Sequence, residues 1–196
     1  MAKQNKTKQS GVVRLIAGKW RGRRLNFPDC DGLRPTPDRV RETLFNWLQS
    51  DIGDAQCLDL FAGSGALGFE AASRGADSVT MIESNPEARL QLKLNSGILS
   101  ADNCRVKNMT AQQFLAANST QYDIVFIDPP YQAELWQAII DQLVETSTLK
   151  DGAKIYLECS SKKDLPHYPH YWQLIKDKKA GEVRYCLFLH DMGAIG

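Results

Sequence analysis

The feature that most constrains the fold is an alternation, from residue 56 onward, of short apolar segments with longer segments of helical periodicity. This pattern predicts strands Gln56–Leu60, Ser78–Ile82, Cys104–Lys107, Asp123–Ile127 and Lys154–Cys159, separated by helices Ala66–Arg74, Pro86–Ile98, Thr110–Ala117 and Glu134–Val144. Crossover helices between successive strands produce a parallel sheet covered on both faces. Two further strands, Tyr171–Ile175 and Val183–His190, predict a final antiparallel pair. We therefore predict an α/β fold with a doubly wound, mostly parallel, seven-stranded Rossmann-like sheet whose last strand is antiparallel.

A different organisation precedes this sheet. Residues 1–10 predict a disordered basic tail, and residues 11–52 predict an extension made of a hairpin and a helix. The hairpin strands are Val12–Ala17 and Arg24–Phe27, and the helix begins near Pro37 or Asp38, where proline is tolerated in the first turn. The remaining residues, 53–196, form the sheet domain in this interpretation.

Charge is distributed unevenly along the chain. The net charge is +1, yet residues 1–50 hold 11 Lys and Arg against 4 Asp and Glu, which leaves a net charge of −6 for the rest. A basic N-terminal quarter predicts a polyanionic partner. No apolar run reaches the roughly 18 residues of a membrane span, and the N-terminus lacks the apolar segment of a secretory signal. Five dispersed cysteines predict free thiols in a reducing compartment, so we expect a cytoplasmic protein without a membrane partner.

A glycine-rich loop follows the first predicted strand of the sheet. The segment Asp59–Gly68, DLFAGSGALG, allows a tight turn and a close approach of a ligand to the backbone. The negative charge of Asp59 near this loop favours a ligand that carries an amine over a ligand that carries a pyrophosphate. Glu83 ends the next strand, 20 residues after Gly63, and can accept hydrogen bonds from a ribose diol. Asn108 follows the third strand, where an adenine ring would lie.

The most specific motif is Asp128-Pro129-Pro130-Tyr131, at the end of the fourth predicted strand of the sheet. The two prolines remove two N–H donors, so the tetrapeptide presents hydrogen-bond acceptors. The Asp128 carboxylate and the Pro129 carbonyl can accept from an exocyclic amine, and Tyr131 can stack on a planar base. These groups suit the methylation of an amino group on a flipped base.

The pair DLFAGSGALG and DPPY resembles the class I S-adenosylmethionine-dependent methyltransferases that act on exocyclic or amide nitrogens. Two N-terminal segments, IAGKWRGRRL at 16–25 and LRPTPDRVRETLFN at 33–46, narrow the resemblance to the RsmD-type bacterial enzymes. It extends from about residue 11 to about residue 190. It implies a methyltransferase that uses S-adenosyl-L-methionine to methylate the N2 amine of a guanine in 16S ribosomal RNA.

The resemblance also implies a role for each matching residue. Asp128, Pro129, Pro130 and Tyr131 form the catalytic loop. The implied cofactor-binding residues are Asp59, Phe61, Ala62, Gly63, Gly65, Glu83, Ser84, Asn108, Met109, Arg39 and Thr43. The implied RNA-binding residues are Lys19, Trp20, Arg21, Arg23, Arg24, Arg34, Thr36 and Arg41. Asn108 departs from the family, which often has Asp there, although both side chains can accept from the adenine amine.

Other interpretations of the same motifs remain open. An adenine-N6 or glutamine-amide methyltransferase uses a similar loop, a nicotinamide-dependent oxidoreductase has a similar glycine-rich turn, and a non-catalytic RNA-binding module would explain the basic arm alone. Arg34, Arg39 and Arg41 could be surface charges of a helix, and GKWRGRR a basic turn. No metal site is predicted, because His167 and His170 lack partners at ligand spacing. We expect a monomer that acts on a small-subunit assembly particle.

Overall fold

The structure is a computed structural model that describes residues 11–30, 35–130 and 134–195. The predicted disordered tail at 1–10 and the candidate residues Arg34 and Tyr131 lie outside these ranges. The helices are α1 (Asp38–Trp47), α2 (Ala66–Ser73), α3 (Pro86–Leu99), α4 (Ala111–Ala117) and α5 (Trp136–Glu145). Within the described ranges, no helix is long and apolar enough to cross a membrane.

The predicted seven-stranded sheet is confirmed. Its strands are β3 (Gln56–Asp59), β4 (Ser78–Ile82), β5 (Cys104–Lys107), β6 (Tyr122–Ile127), β7 (Leu149–Ser160), β8 (Trp172–Ala180) and β9 (Val183–His190). Their spatial order is β5-β4-β3-β6-β7-β9-β8, in which the pairs among β3 to β7 are parallel and β9 is antiparallel to both of its neighbours. The last strand therefore lies inside the sheet, and β8 forms its edge.

Side-chain caps begin two helices where the sequence predicts them. The Asn85 side chain accepts from the backbone N–H groups of Glu87 and Ala88 at the start of α3. Thr110 and Gln113 form a capping box at the start of α4. Each cap satisfies backbone donors that would otherwise lack a partner within the helix. These local contacts explain why both helix starts could be read from the sequence.

The N-terminal extension packs on one face of the sheet domain. Strands β1 (Gly11–Arg14) and β2 (Arg24–Phe27) pair antiparallel, which confirms the predicted hairpin. The first strand is shorter than predicted, because the backbone N–H groups of Ile16 and Ala17 donate to the carboxylate of Glu70 on α2 at 2.8 and 3.0 Å. The apolar side chains of the hairpin share one core with α1 and α2, including Val13, Leu15, Leu25, Phe27, Leu44 and Phe69.

The second face of the sheet has its own apolar core, which is formed mainly with α4 and α5. The strand β3 lies between β4 and β6, so the chain changes direction across the sheet at this point. Ligands of open α/β sheets bind at such a switch point, outside the carboxyl ends of the strands. Asp59, Glu83, Asn108 and Asp128 all lie at or directly after those ends.

Candidate active site

The glycine-rich loop joins β3 to α2 in a conformation that requires glycine. Gly63 and Gly65 have φ angles of +48° and +79°, in the left-handed region, and Gly65 precedes the first residue of α2. A Cβ at Gly65 would also lie 2.5 Å from the ring of Phe69. The backbone therefore turns sharply from the strand into the helix, as the motif predicts.

Asp59 supports this loop from within the protein. Its side chain is 2% exposed, and its Oδ2 and Oδ1 accept from the backbone N–H groups of Gly68 at 3.1 Å and Phe61 at 3.4 Å. Burial is the main cause that raises the pKa of Asp59 to about 7, a value that already includes the opposing effect of the two backbone hydrogen bonds and a smaller upward effect of the Glu83 charge. A cationic ligand beside the loop would favour the ionised form.

Glu83 connects the loop to the end of the neighbouring strand. Its two oxygens accept from the backbone N–H groups of Gly63 at 2.9 Å and Asn85 at 2.6 Å. The side chain is half-buried, and a carboxylate can accept more hydrogen bonds than these two. Glu83 therefore holds the loop in place and keeps acceptor capacity for a diol.

The other predicted cofactor residues lie around the same edge. Ala62 is buried and donates through its backbone N–H to the carbonyl of Ile82 at 3.0 Å. Phe61 and Met109 are half-buried against the α4 and α5 core, and Ser84 and Asn108 are exposed. A nucleoside placed at this edge would meet an acidic group, amide and hydroxyl groups, and apolar surface. These polar and apolar groups therefore fit S-adenosylmethionine.

Arg39 and Thr43 are less clearly placed at this site. Arg39 is exposed, and the Thr43 hydroxyl donates to the Arg39 carbonyl within α1 at 2.9 Å. Their contact with the cofactor stays a prediction.

Asp128 follows the last residue of β6 and is half-buried, next to buried Pro129 and exposed Pro130. Thr36 Oγ1, from the extension, donates to Asp128 Oδ2 at 3.2 Å. Burial raises the pKa of Asp128 well above its ordinary value, the charge of Glu158 raises it further, and the hydrogen bond from Thr36 lowers it. A carboxyl group with a raised pKa accepts a proton more readily near neutral pH. Thr36, predicted as an RNA contact, is itself buried and holds this acid.

Sequence reasoning missed Glu158 and Tyr156, which lie on β7 beside Asp128. Glu158 is 5% exposed, and the Tyr156 hydroxyl donates to Glu158 Oε2 at 2.7 Å. The indole N–H of Trp136 donates to the Glu158 backbone carbonyl at 2.7 Å. The available signal was an acidic residue at the end of an otherwise apolar strand, IYLECS, at the sheet edge where ligands bind.

Besides Thr36, two predicted RNA-binding residues do not lie on the surface. Arg41 is 0% exposed, and its guanidinium donates to the carbonyls of Thr36 and Arg14 and to Asp38. Trp20 is 6% exposed and belongs to the apolar core of the extension. Both predictions of direct RNA contact were therefore wrong. The sequence shows a basic, aromatic segment, but not which of its side chains the hairpin turns inward.

The remaining described residues of the basic segment are exposed: Lys19, Arg21, Arg23 and Arg24. The Lys19 ammonium lies 5.5 Å from the centre of the Trp20 ring, and Arg23 donates to the carbonyl of Ile98 on α3 at 3.2 Å. These side chains form a positively charged surface on the extension, which we call the basic hairpin surface. Their contact with RNA stays a prediction.

The sheet order, the glycine-rich loop and the acid-proline loop define a class I S-adenosylmethionine-dependent methyltransferase. The model of the family described as Conserved hypothetical protein 95 matches residues 13–189, and the chain belongs to this family, the RsmD-type family that the motifs indicate.

Two relatives and one solved structure illustrate the similarity. Ribosomal RNA small subunit methyltransferase D of Escherichia coli (strain K12) is 51% identical over 93% of this chain and 92% of its own length. The protein of the same name from Haemophilus influenzae is 46% identical over 91% of this chain and 94% of its own. A solved structure of an Escherichia coli protein described as a methyltransferase is 47% identical, has a TM-score of 0.86, and covers 92% of this chain and 99% of that one.

Proposed function

We propose that this protein transfers a methyl group from S-adenosyl-L-methionine to the N2 amine of a guanine in 16S ribosomal RNA. The observation that carries the proposal is the position of the Asp128-Pro129-Pro130 acceptors beside the glycine-rich loop, since both segments follow the paired strands β6 and β3. Asp128 also accepts a hydrogen bond from the extension, which carries exposed basic residues. The names of the relatives support a ribosomal RNA of the small subunit as the substrate. The motif resemblance supports guanine N2 as the methylated atom.

Bound S-adenosylmethionine would supply an electrophilic methyl group on a sulfonium centre. Asp59, Gly63, Gly65 and Glu83 would hold it against the loop, with the adenine near Asn108 and Met109. In the reaction, the amine nitrogen of the base forms a bond to the methyl carbon as the bond from that carbon to sulfur breaks. The residues of the chain then contribute orientation and proton transfer.

Asp128 performs both of these tasks in the proposed mechanism. Its carboxylate and the Pro129 carbonyl accept hydrogen bonds from the amine, which directs the nitrogen lone pair at the methyl carbon. Such alignment can be worth roughly 7–11 kcal/mol of the barrier. Positive charge develops on the amine, the carboxylate stabilises it, and the departing proton passes to Asp128 and then to solvent.

The basic hairpin surface would contact RNA phosphates at the edge of the site. This surface is small, so we propose that an assembly particle, and not naked RNA, presents the guanine. The enzyme would act as a monomer in the cytoplasm. The proposed division is an RNA-binding extension at residues 11–52 and a methyltransferase domain from residue 53 onward.

Labelled methyl transfer tests the proposal. Small subunits from cells that lack this protein are incubated with the enzyme and methyl-labelled S-adenosylmethionine, and the RNA is digested to nucleosides. Label in N2-methylguanosine is the expected result. Label in N6-methyladenosine would instead favour the adenine-N6 alternative, and label in protein would favour the glutamine-amide alternative.

A further inference from the structure

A second carboxylate lies beside the catalytic acid. The strands β6 and β7 are parallel with Ile127 opposite Leu157, so the next residues, Asp128 and Glu158, are neighbours at the same edge of the sheet. The preceding aromatic residues on that face, Phe126 and Tyr156, pack with their ring centroids 6.3 Å apart. The fold therefore directs both acids to the same face.

Glu158 is buried and Asp128 is half-buried, so the two neighbouring acids repel each other when both are ionised. The Glu158 charge raises the pKa of Asp128, because like charges close together in a buried site resist ionising together. The Tyr156 hydroxyl, which donates to Glu158 Oε2 at 2.7 Å, orients the Glu158 carboxylate beside the catalytic loop. Such an arrangement is stabilised when a ligand provides a hydrogen-bond donor to each acid.

Guanine provides two such donors side by side. Its Watson–Crick edge carries the N1–H next to the N2 amine, whereas adenine carries its N6 amine next to the lone pair of N1. A flipped base is read through hydrogen bonds to this edge. Two neighbouring acceptors therefore match guanine, and the second one opposes the N1 lone pair of adenine.

We propose that Glu158 is the specificity-determining residue that accepts the N1–H of the target guanine while Asp128 accepts the N2 amine. This proposal rests on the proposed function and deepens it, because it explains how the site selects guanine over adenine. Thr36 and Tyr156 are then positioning residues, because their hydroxyl groups orient the carboxyl groups of Asp128 and Glu158.

The test uses 2-aminopurine, which has the 2-amino group of guanine but an N1 lone pair in place of N1–H. Once the methylated guanine is mapped, 16S RNA with either base at that position is assembled into small subunits. The measured quantity is the ratio of kcat/KM for guanine to kcat/KM for 2-aminopurine. We expect the wild-type enzyme to prefer guanine by about tenfold or more, as expected for a hydrogen bond to a charged acceptor.

In Glu158→Gln, the amide can donate to the N1 lone pair, so the ratio should fall by about tenfold or more. Dividing the ratios of the two enzymes removes any intrinsic difference in reactivity between the bases. Glu145→Gln on α5 is the matched control, because it makes the same substitution at an exposed position and should leave the ratio unchanged. The thermal unfolding midpoint and cofactor affinity of each variant are measured beside the rates.

A role of Glu158 in folding alone would lower both rates together and leave the ratio unchanged, which would overturn the proposal. Equal use of both bases by the wild-type enzyme would also overturn it, and this readout needs no variant. If wild-type enzyme forms no N2-methylguanosine in native subunits, the proposed function itself has failed. The two failures are therefore distinguishable.

Discussion

Thr36 Oγ1 donates a hydrogen bond to Asp128 Oδ2 at 3.2 Å, although 92 residues separate the two in sequence. Within the described ranges, no other side chain donates a hydrogen bond to the Asp128 carboxylate. The N-terminal extension therefore reaches the proposed catalytic loop and does more than present a charged surface. It sets the orientation of the acid that the proposed mechanism requires.

Replacing Thr36 by Val should lower kcat by about tenfold or more, because a hydrogen bond to a charged group contributes roughly 1.5–3 kcal/mol. The hydrogen bond lowers the pKa of Asp128, so its loss should move the acidic limb of the pH profile of kcat to higher pH. Thr36→Ser, which keeps the hydroxyl, is the control and should retain both properties. An unchanged pH profile in Thr36→Val would contradict this role.

Asp59 should make the stability of the free protein depend on pH. Its pKa in the folded protein, about 7, lies above the ordinary 3.8, so folding favours the protonated carboxyl. The stabilisation from this group is therefore fully present below about pH 4 and is lost as the pH rises to about 7. Asp59→Asn should flatten the fall in unfolding free energy between pH 5 and pH 8 by about 3 kcal/mol. Urea unfolding of both proteins at the two pH values measures this difference. The other acids contribute equally in both proteins, so their effect cancels.

Equal pH dependence of the two proteins would show that Asp59 titrates at its ordinary value and would contradict the account of a buried loop-supporting acid.

Arg41 should act on stability and not on RNA binding. Its Nη1 lies 3.6 Å from Glu70 Oε2, and both side chains are fully buried. Removing one partner of a buried pair costs about 3–5 kcal/mol, so Arg41→Ala should lose that much unfolding free energy. Arg14→Ala removes an exposed ion pair with Asp38 and should cost less than about 1 kcal/mol in the same urea titration.

A variant Arg41→Ala that unfolds like the wild type but binds subunits weakly would restore Arg41 as an RNA contact.

The basic hairpin surface should determine affinity for RNA. The double variant Arg21→Glu, Arg24→Glu should weaken binding to small subunits and reduce the slope of log affinity against log salt by about one per lost phosphate contact. The matched control is Lys176→Glu, Lys179→Glu on the edge strand β8, which changes the net charge equally. Equal losses in both double variants would indicate a general charge effect and would contradict a localised RNA surface.

Local patterns were sufficient for the sheet, the helix caps and the ligand edge. The Asn85 and Thr110 caps depend on residues within three positions, and the alternation of strands and helices places Asp59, Glu83 and Asp128 at one edge. The errors concern contacts between distant segments.

Trp20 and Arg41 looked like surface residues, because the pairing of the extension with Glu70 and Ser73 on α2 leaves no local signal. Glu158 was missed although its acidic side chain is visible in the apolar segment IYLECS, because the strand register, and not the segment itself, places it beside Asp128. Residues whose roles depend on a neighbouring strand or helix cannot be assigned from their own segment.

The central claim is that Asp128 orients the amine of a guanine in 16S ribosomal RNA for methylation. The most direct test compares wild type with Asp128→Ala in labelled methyl transfer to small subunits from cells that lack the protein, with cofactor affinity measured on both enzymes. We predict that the wild type places label in N2-methylguanosine, and that the variant loses nearly all turnover while it still binds S-adenosylmethionine. Label in another nucleoside, or a variant that loses cofactor binding instead of turnover, would contradict the account.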